Sequence, residues 1–136
     1  VGFYGNSSGW SFAMNTSNGN VGMGTTSPTT KLEVNGFTKL GSDAPSIKVK
    51  KLTGTTASTE GGDTNIPHGL VFSKILSVSV LVESETNIYT PPSSTHITGV
   101  QYNYDIYNNS IWVFNTPGNS ANILSKPFKV LITYEE

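Results

Sequence analysis

Hydrophobic and polar positions alternate with period two along most of the chain, and the alternating runs are of two kinds. Up to Gly36 they are very short: Val1–Tyr4, Trp10–Met14, Asn20–Met23 and Lys31–Val34. They are separated by Gly-Asn-Ser-Ser-Gly, Asn-Thr-Ser-Asn-Gly-Asn and Gly-Thr-Thr-Ser-Pro-Thr-Thr, all turn-forming clusters. Beyond a junction at residues 37–46 the runs lengthen. Ser46–Leu52 sets Ile47 and Val49 against Lys48 and Lys50. Lys74–Glu83 sets Leu76, Val78, Val80 and Val82 against Ser77, Ser79 and Glu83. Val100–Tyr107 places Val100, Tyr102, Tyr104 and Ile106 on one face and Gln101, Asn103, Asp105 and Tyr107 on the other. Asn108-Asn109-Ser110 then predicts a hairpin turn into Ile111–Asn115, Asn being tolerant of positive φ. A final strand alternates Phe128, Val130, Ile132 and Tyr134 with Lys129, Leu131, Thr133 and Glu135. Nothing in the pattern predicts a helix.

The expected fold class is therefore all-β and two-part. Residues 1–36 are expected to form a thin β stalk and 47–136 an antiparallel β-sandwich head. Strands of four or five residues with no second layer cannot bury both faces within one chain. Several copies wound together could bury them.

Composition sharpens this picture. Charged residues make up 12% of the 136, against roughly 25% in an average soluble domain. Such a surface is expected where side chains meet neighbouring subunits, or where hydroxyls and amides on strands supply outward polarity. The net charge is −1 and the chain contains no Arg, so neither nucleic acid nor an anionic membrane surface is an expected partner. No apolar run is long enough for membrane insertion. The absence of Cys excludes disulfides, Cys-ligated zinc and thiol nucleophiles. The start at Val-Gly-Phe reads as a segment of a longer polypeptide, and the end as a last strand running into a natural C-terminus.

Asn20-Val21-Gly22-Met23-Gly24-Thr25-Thr26-Ser27-Pro28-Thr29-Thr30-Lys31-Leu32-Glu33-Val34-Asn35-Gly36 resembles the stalk element of bacteriophage and prophage-like tail-fibre and tail-spike proteins, with Met23 for the usual Ile and Glu33 for the usual Asp. Ile66-Pro67-His68-Gly69-Leu70 and Pro127–Tyr134 are similar to parts of the globular heads that end such fibres. The resemblance implies the distal part of a homotrimeric fibre, joined to the rest of the fibre and the tail, carried extracellularly on the virion and attaching to bacterial surface polysaccharide or protein. Val21, Met23, Leu32 and Val34 are then the trimer-packing residues, with Gly22 and Gly24 letting backbones approach. Relatives that end in a self-cleaving chaperone domain extend further than Glu136 does.

Candidate chemistry is sparse. His68 and His96 read as loop imidazoles, without the His-x-His spacing of axial metal sites, so no metal and no cofactor is expected. Glu60, Asp63, Glu83, Glu85 and Asp105 could supply paired carboxylates, but a head of this size leaves little room for a hydrolytic cleft, and no enzymatic activity is expected. A receptor site is expected on loops 87–96, 107–110 and 116–122, with Tyr89, His96, Tyr107, Asn108, Asn109 and Asn119 as its residues. Tyr beside Asn suits a shallow saccharide site, the ring covering C–H faces and the amides bonding hydroxyls. Tyr102, Tyr104, Trp112 and Phe114 are expected to fill sandwich and intersubunit cores, from their strand periodicity. A purely structural clamp and a glycan-degrading spike are the competing readings.

Overall fold

The computed structural model describes residues 2–5 and 9–136, with side chains from Phe12 onward. The described chain is all-β apart from two single turns of 3-10 helix, Phe72–Lys74 and Ala121–Ile123. It divides into two compact units, Val1–Lys48 with Glu135–Glu136, and Val49–Tyr134. Val1, the first residue of the first expected strand, lies outside the described residues.

In the first unit β1 (Gly2–Gly5), β2 (Gly9–Asn15), β3 (Asn20–Met23) and β4 (Leu32–Val34) form one sheet in sequence order. The first two pairings are antiparallel, but β3 and β4 run parallel. The connection at 24–31 makes this possible by folding over one face of the sheet. Asn20, buried, donates its side-chain amide to the Pro28 carbonyl at 3.1 Å, and Pro28 is itself buried. Gly22 is required there, because a Cβ would collide with the Thr25 carbonyl oxygen. Gly24 starts the connection at φ +70°, where an L side chain is strained. Glu33 closes the other end, its carboxylate accepting from the Thr29 N–H at 2.8 Å and the Thr29 hydroxyl at 2.9 Å. These two bonds hold the Glu33 carboxyl below its ordinary pKa, so they favour the fold above the normal carboxylate range and are lost as the pH falls through it.

Among the described residues, the other face of this sheet is apolar. Register places Met14, Val21 and Leu32 in one row across the strands and Phe12, Met23 and Val34 in the next. Within one chain Met14 is 40% exposed, Met23 45%, Leu32 60% and Val34 38%.

The second unit contains two sheets. β5 (Ile47–Thr55), β11 (Pro127–Glu135), β7 (Ile75–Glu85) and β8 (Ile88–Thr90) lie in that order in one; β6 (Asp63–Pro67), β10 (Ser110–Asn115) and β9 (Tyr102–Ile106) in the other. Val80 and Val82 from β7, Phe128, Val130 and Ile132 from β11, Tyr102 from β9, Ile111 and Val113 from β10, and Ile123 form one buried cluster. Burying each such aliphatic chain is worth about 1.5–3 kcal/mol, which makes the contact between the sheets the main source of this unit's stability.

Two details depart from the alternation expected of the sequence. The register of β7 against β11 slips between Thr133 and Tyr134, so Ile75 packs against the core and Leu76 is 47% exposed. In β5, Val49 is 59% exposed while Leu52 packs inward, the reverse of the expected phase. Strands β6 and β8 were not legible at all: Asp63–Pro67 and Ile88–Thr90 are short and mostly polar or turn-flanked. The turn after β9 also differs, since it holds neither Asn108 nor Asn109 at positive φ; the described non-Gly residues that do adopt positive φ are Asn87, Ser93 and Ser125.

Strand β8 pairs with β7 only at Val82–Glu85, which leaves the earlier part of that β7 edge without a neighbouring strand. Two tyrosines of the opposite sheet occupy it. The Tyr102 hydroxyl donates to the carbonyls of Val80 (2.9 Å) and Thr90 (2.8 Å), and that of Tyr104 to the carbonyl of Val78 (2.7 Å). Burial pushes the Tyr102 phenol well above its ordinary 10.0. The raised value means that this contribution is fully present below about pH 10 and is lost as the pH climbs beyond it, because the unfolded chain ionises first. Tyr102→Phe is expected to cost about 1–3 kcal/mol at neutral pH by removing the one O–H that the buried Val80 and Thr90 carbonyls share. Urea unfolding of both proteins across the alkaline range should show a shallower loss of stability above pH 10 in the variant; equal slopes would remove Tyr102 as the cause.

Candidate functional site

Strand β10 is apolar on both faces. Ile111 and Val113 are buried in the core, so Trp112 and Phe114 point to the outer face of the three-stranded sheet, where both are half-buried. Trp112 and Phe114 therefore stand outside the core between the two sheets, whereas Tyr102 and Tyr104 face into it. The register supplies their neighbours. Trp112 lies opposite Asp105 of β9 and Asn65 of β6, and Phe114 opposite Asn103 of β9 and Asp63 of β6. The Trp112 and Phe114 rings are 6.2 Å apart and inclined by only 22°, while Tyr107 adds a third ring 5.6 Å from Trp112 at 58°. The Trp112 indole N–H donates to the Ser110 hydroxyl at 2.9 Å, which fixes the ring. The result is an aromatic strip, Tyr107–Trp112–Phe114, bordered on each side by one carboxylate and one amide.

Tyr107 is held in place from below. His68 is fully buried rather than a loop imidazole, and both of its ring nitrogens are used. Nδ1 accepts from the Leu70 N–H at 3.1 Å, which assigns the proton to Nε2, and Nε2 donates to the Tyr107 carbonyl at 3.0 Å. The His68 N–H donates to the Asn109 carbonyl at 3.1 Å, and the His68 carbonyl accepts from the Lys50 ammonium at 2.8 Å. His68 therefore clamps the β9–β10 turn to the end of β6. Its imidazole is a structural donor and acceptor with no lone pair left for a metal. Among the described residues no three His, Asp or Glu side chains gather into a metal site.

The residues expected to form one receptor site fall in three places. Tyr107, Asn108 and Asn109, all exposed, sit at the β9–β10 turn beside the strip. His96 and Asn119 belong to loops beyond the other end of β9, roughly 17 Å away at 3.4 Å per residue. His96 is exposed and its Nδ1 is 2.7 Å from the Ser94 hydroxyl. Asn119 is a loop tie: its side-chain oxygen accepts from the Gly99 N–H at 2.5 Å and its carbonyl from the Gln101 N–H at 2.9 Å. Tyr89 lies on β8, on the outer face of the other sheet, with the Lys129 ammonium 3.5 Å from its ring centre and its hydroxyl 3.4 Å from Glu83. The four trimer-packing candidates Val21, Met23, Leu32 and Val34 share the open face of the first unit's sheet.

Sequence reasoning did not bring the residues of the strip and its border together: it named Asp63 and Asp105 only as candidate hydrolytic carboxylates and Trp112 and Phe114 only as core rings, and it did not single out Asn65 or Asn103 as site residues. The signal was present in the run Ser-Ile-Trp-Val-Phe-Asn, whose two alternating sets are both apolar, so that one set must leave the core. Gly5-Asn6-Ser7-Ser8-Gly9 has the Gly-x-Ser-x-Gly spelling of a nucleophile elbow. Residues 6–8 lie outside the described residues, and the flanking β1 and β2 pair antiparallel at Gly5 and Gly9 where that motif requires strand, turn and helix. No protein-family model, curated protein or solved structure matches the chain.

An aromatic strip on an outer sheet face, its Tyr107 ring exposed and its Trp112 and Phe114 rings half-buried, can with its flanking amides and carboxylates cover the C–H face of a saccharide and bond its hydroxyls. His68→Ala is expected to leave the Tyr107 carbonyl and the Leu70 N–H unpaired and to destabilise the unit by about 2–4 kcal/mol. Amide exchange reads this directly: Leu70 should be protected in the native protein and exchange rapidly in the variant, whereas unchanged protection would mean that His68 does not clamp the turn.

Proposed function

We propose that this chain is the distal part of a homotrimeric phage tail fibre, in which a thin β stalk is followed by a β-sandwich head that attaches the virion to a bacterial surface polysaccharide. The observation that carries the binding role is the aromatic strip on the outer face of the three-stranded sheet: three rings in a row, bordered by Asn65, Asn103, Asp63 and Asp105. Large rings are ordinarily buried, and rings fixed by a hydrogen bond at an open surface mark a place of contact. The trimer is supported by the apolar face of the four short strands, whose Met14, Met23, Leu32 and Val34 stand open in one chain, and by the low charge of the sequence as a whole. Three copies meeting on that face would remove it from water. The strip lies on the open face of a sheet, which suits binding more than cleavage.

Light scattering is expected to give a mass three times the 14.5 kDa of one chain. Val34→Asp should weaken the assembly by several kcal/mol, since it would place unpaired charges at the contact. A monomer at micromolar concentration would sink the trimer. Adsorption of labelled protein to host cells, with and without removal of surface polysaccharide, tests the attachment role. Trp112→Ala should fold, keep its mass and lose adsorption; full adsorption by that variant would place the receptor surface elsewhere, and no adsorption by the parent would favour a structural clamp.

A further inference from the structure

The charges on the three strands that form the face of the strip are of one sign; the ammonium placed at its Tyr107 end, that of Lys50, is bonded to the His68 carbonyl. Strands β6, β9 and β10 read Asp-Thr-Asn-Ile-Pro, Tyr-Asn-Tyr-Asp-Ile and Ser-Ile-Trp-Val-Phe-Asn, so the face they form contains two carboxylates and no Lys, Arg or His. The register distributes the carboxylates unevenly: Asp105 stands directly opposite Trp112, and Asp63 directly opposite Phe114 on the other side of β10. Residues paired in this way have Cβ atoms about 4.5–5.5 Å apart, so a group resting on either ring is within reach of a carboxylate. Asp63 and Asp105 are exposed. Asn103, in contrast, already accepts from the Ser93 hydroxyl at 2.6 Å.

An aromatic face beside a carboxylate is the arrangement that holds an ammonium group. The ring quadrupole attracts the cation, Trp most strongly, and the carboxylate accepts its N–H bonds. The same two carboxylates repel uronic acids, sialic acids and phosphate-bearing polymers, because like charges brought together at an interface cost several kcal/mol. Resting on the reading of the strip as a saccharide site, we infer that its ligand is a glycan carrying free amino groups, with Trp112–Asp105 and Phe114–Asp63 as two ammonium subsites. They are two residues apart along β10, about 6.8 Å, so they would engage amines on successive sugar units of a polymer.

The probes are chitosan hexasaccharide, which carries free amines, and chitin hexasaccharide, in which the amines are acetylated, titrated by calorimetry at a pH where the amines are protonated. The free-amine oligomer should bind at least about tenfold more tightly, and this advantage should shrink with added salt. Asp105→Asn and Asp63→Asn should each lower chitosan binding about tenfold and lower chitin binding by a clearly smaller factor, so that the preference for the free-amine oligomer shrinks; circular dichroism checks that both variants fold. Trp112→Ala should abolish binding of both oligomers. Equal binding of the two oligomers, or unchanged chitosan binding in both Asp variants, overturns the amine assignment. If Trp112→Ala still abolishes binding in that case, the strip remains a saccharide site and only its selectivity has been misread. Failure of the native protein to bind either oligomer overturns the amine assignment too, and adsorption to host cells by the native protein but not by Trp112→Ala would then keep the strip as the contact surface.

Discussion

The contact between the three-stranded and four-stranded sheets is the constraint on which the Val49–Tyr134 unit depends. Aliphatic burial supplies the energy, but burial alone has no direction and would tolerate several offsets of one sheet over the other. The tyrosines of β9 supply the direction. Each reaches across the core and ends on carbonyls of β7, where β8 has stopped and no strand satisfies them. An unpaired carbonyl there would cost about as much as the hydrogen bond gains, so the two sheets have one favoured alignment. That alignment commits Ile111 and Val113 to the core and leaves Trp112 and Phe114 on the outside.

The surface chemistry follows from this commitment. Because side chains alternate, every residue opposite Trp112 and Phe114 on β6 and β9 also faces outward, and these are Asp, Asn, Asn and Asp. One buried imidazole then positions the third ring. With its two nitrogens spent on Leu70 and Tyr107, His68 couples the end of β6 to the β9–β10 turn, so that the turn is fixed by the core beneath it. Other polar side chains of this unit likewise bond backbone groups of distant loops. Thr56, for example, bonds the carbonyls of Ile123 and Lys126, and Asn115 holds the carbonyls of Ala57 and Thr59. Loops tied in this way at both ends explain how a chain with few charges and many Ser, Thr and Asn residues keeps defined surfaces.

The first unit solves a different problem. Four short strands give a sheet too thin to have its own second layer, and the chain covers one side with eight residues of loop, held by Asn20, Gly22, Pro28 and Glu33. This is what Gly22, Gly24, Pro28 and Glu33 do for the stretch 20–36. The loop makes β3 and β4 parallel, and parallel neighbours with consecutive register line up Val21 with Leu32 and Met23 with Val34. Among the described residues, the opposite side then presents Phe12, Met14, Val21, Met23, Leu32 and Val34.

The sequence by itself determined the class and most of the strands. Period-two runs, turn clusters and the lack of any helical period made an all-β chain with a short-stranded first part legible, and Phe128, Val130 and Ile132 could be assigned to the core because their alternate partners are polar or exposed. It failed where alternation carries no information. Both faces of β10 are apolar, so periodicity could not say which pair of residues is buried. A one-residue slip in β7 exchanged Ile75 for Leu76. Lys50 and Lys51 left the phase of β5 ambiguous, and β6 and β8 are too short and polar to register. His68 looked like a loop residue because its burial comes from Leu70 and Tyr107, the latter 39 positions along the chain. Only the tertiary structure decided these points, since each depends on which strand lies alongside, and a local pattern contains the alternation of side chains but not the identity of the neighbour.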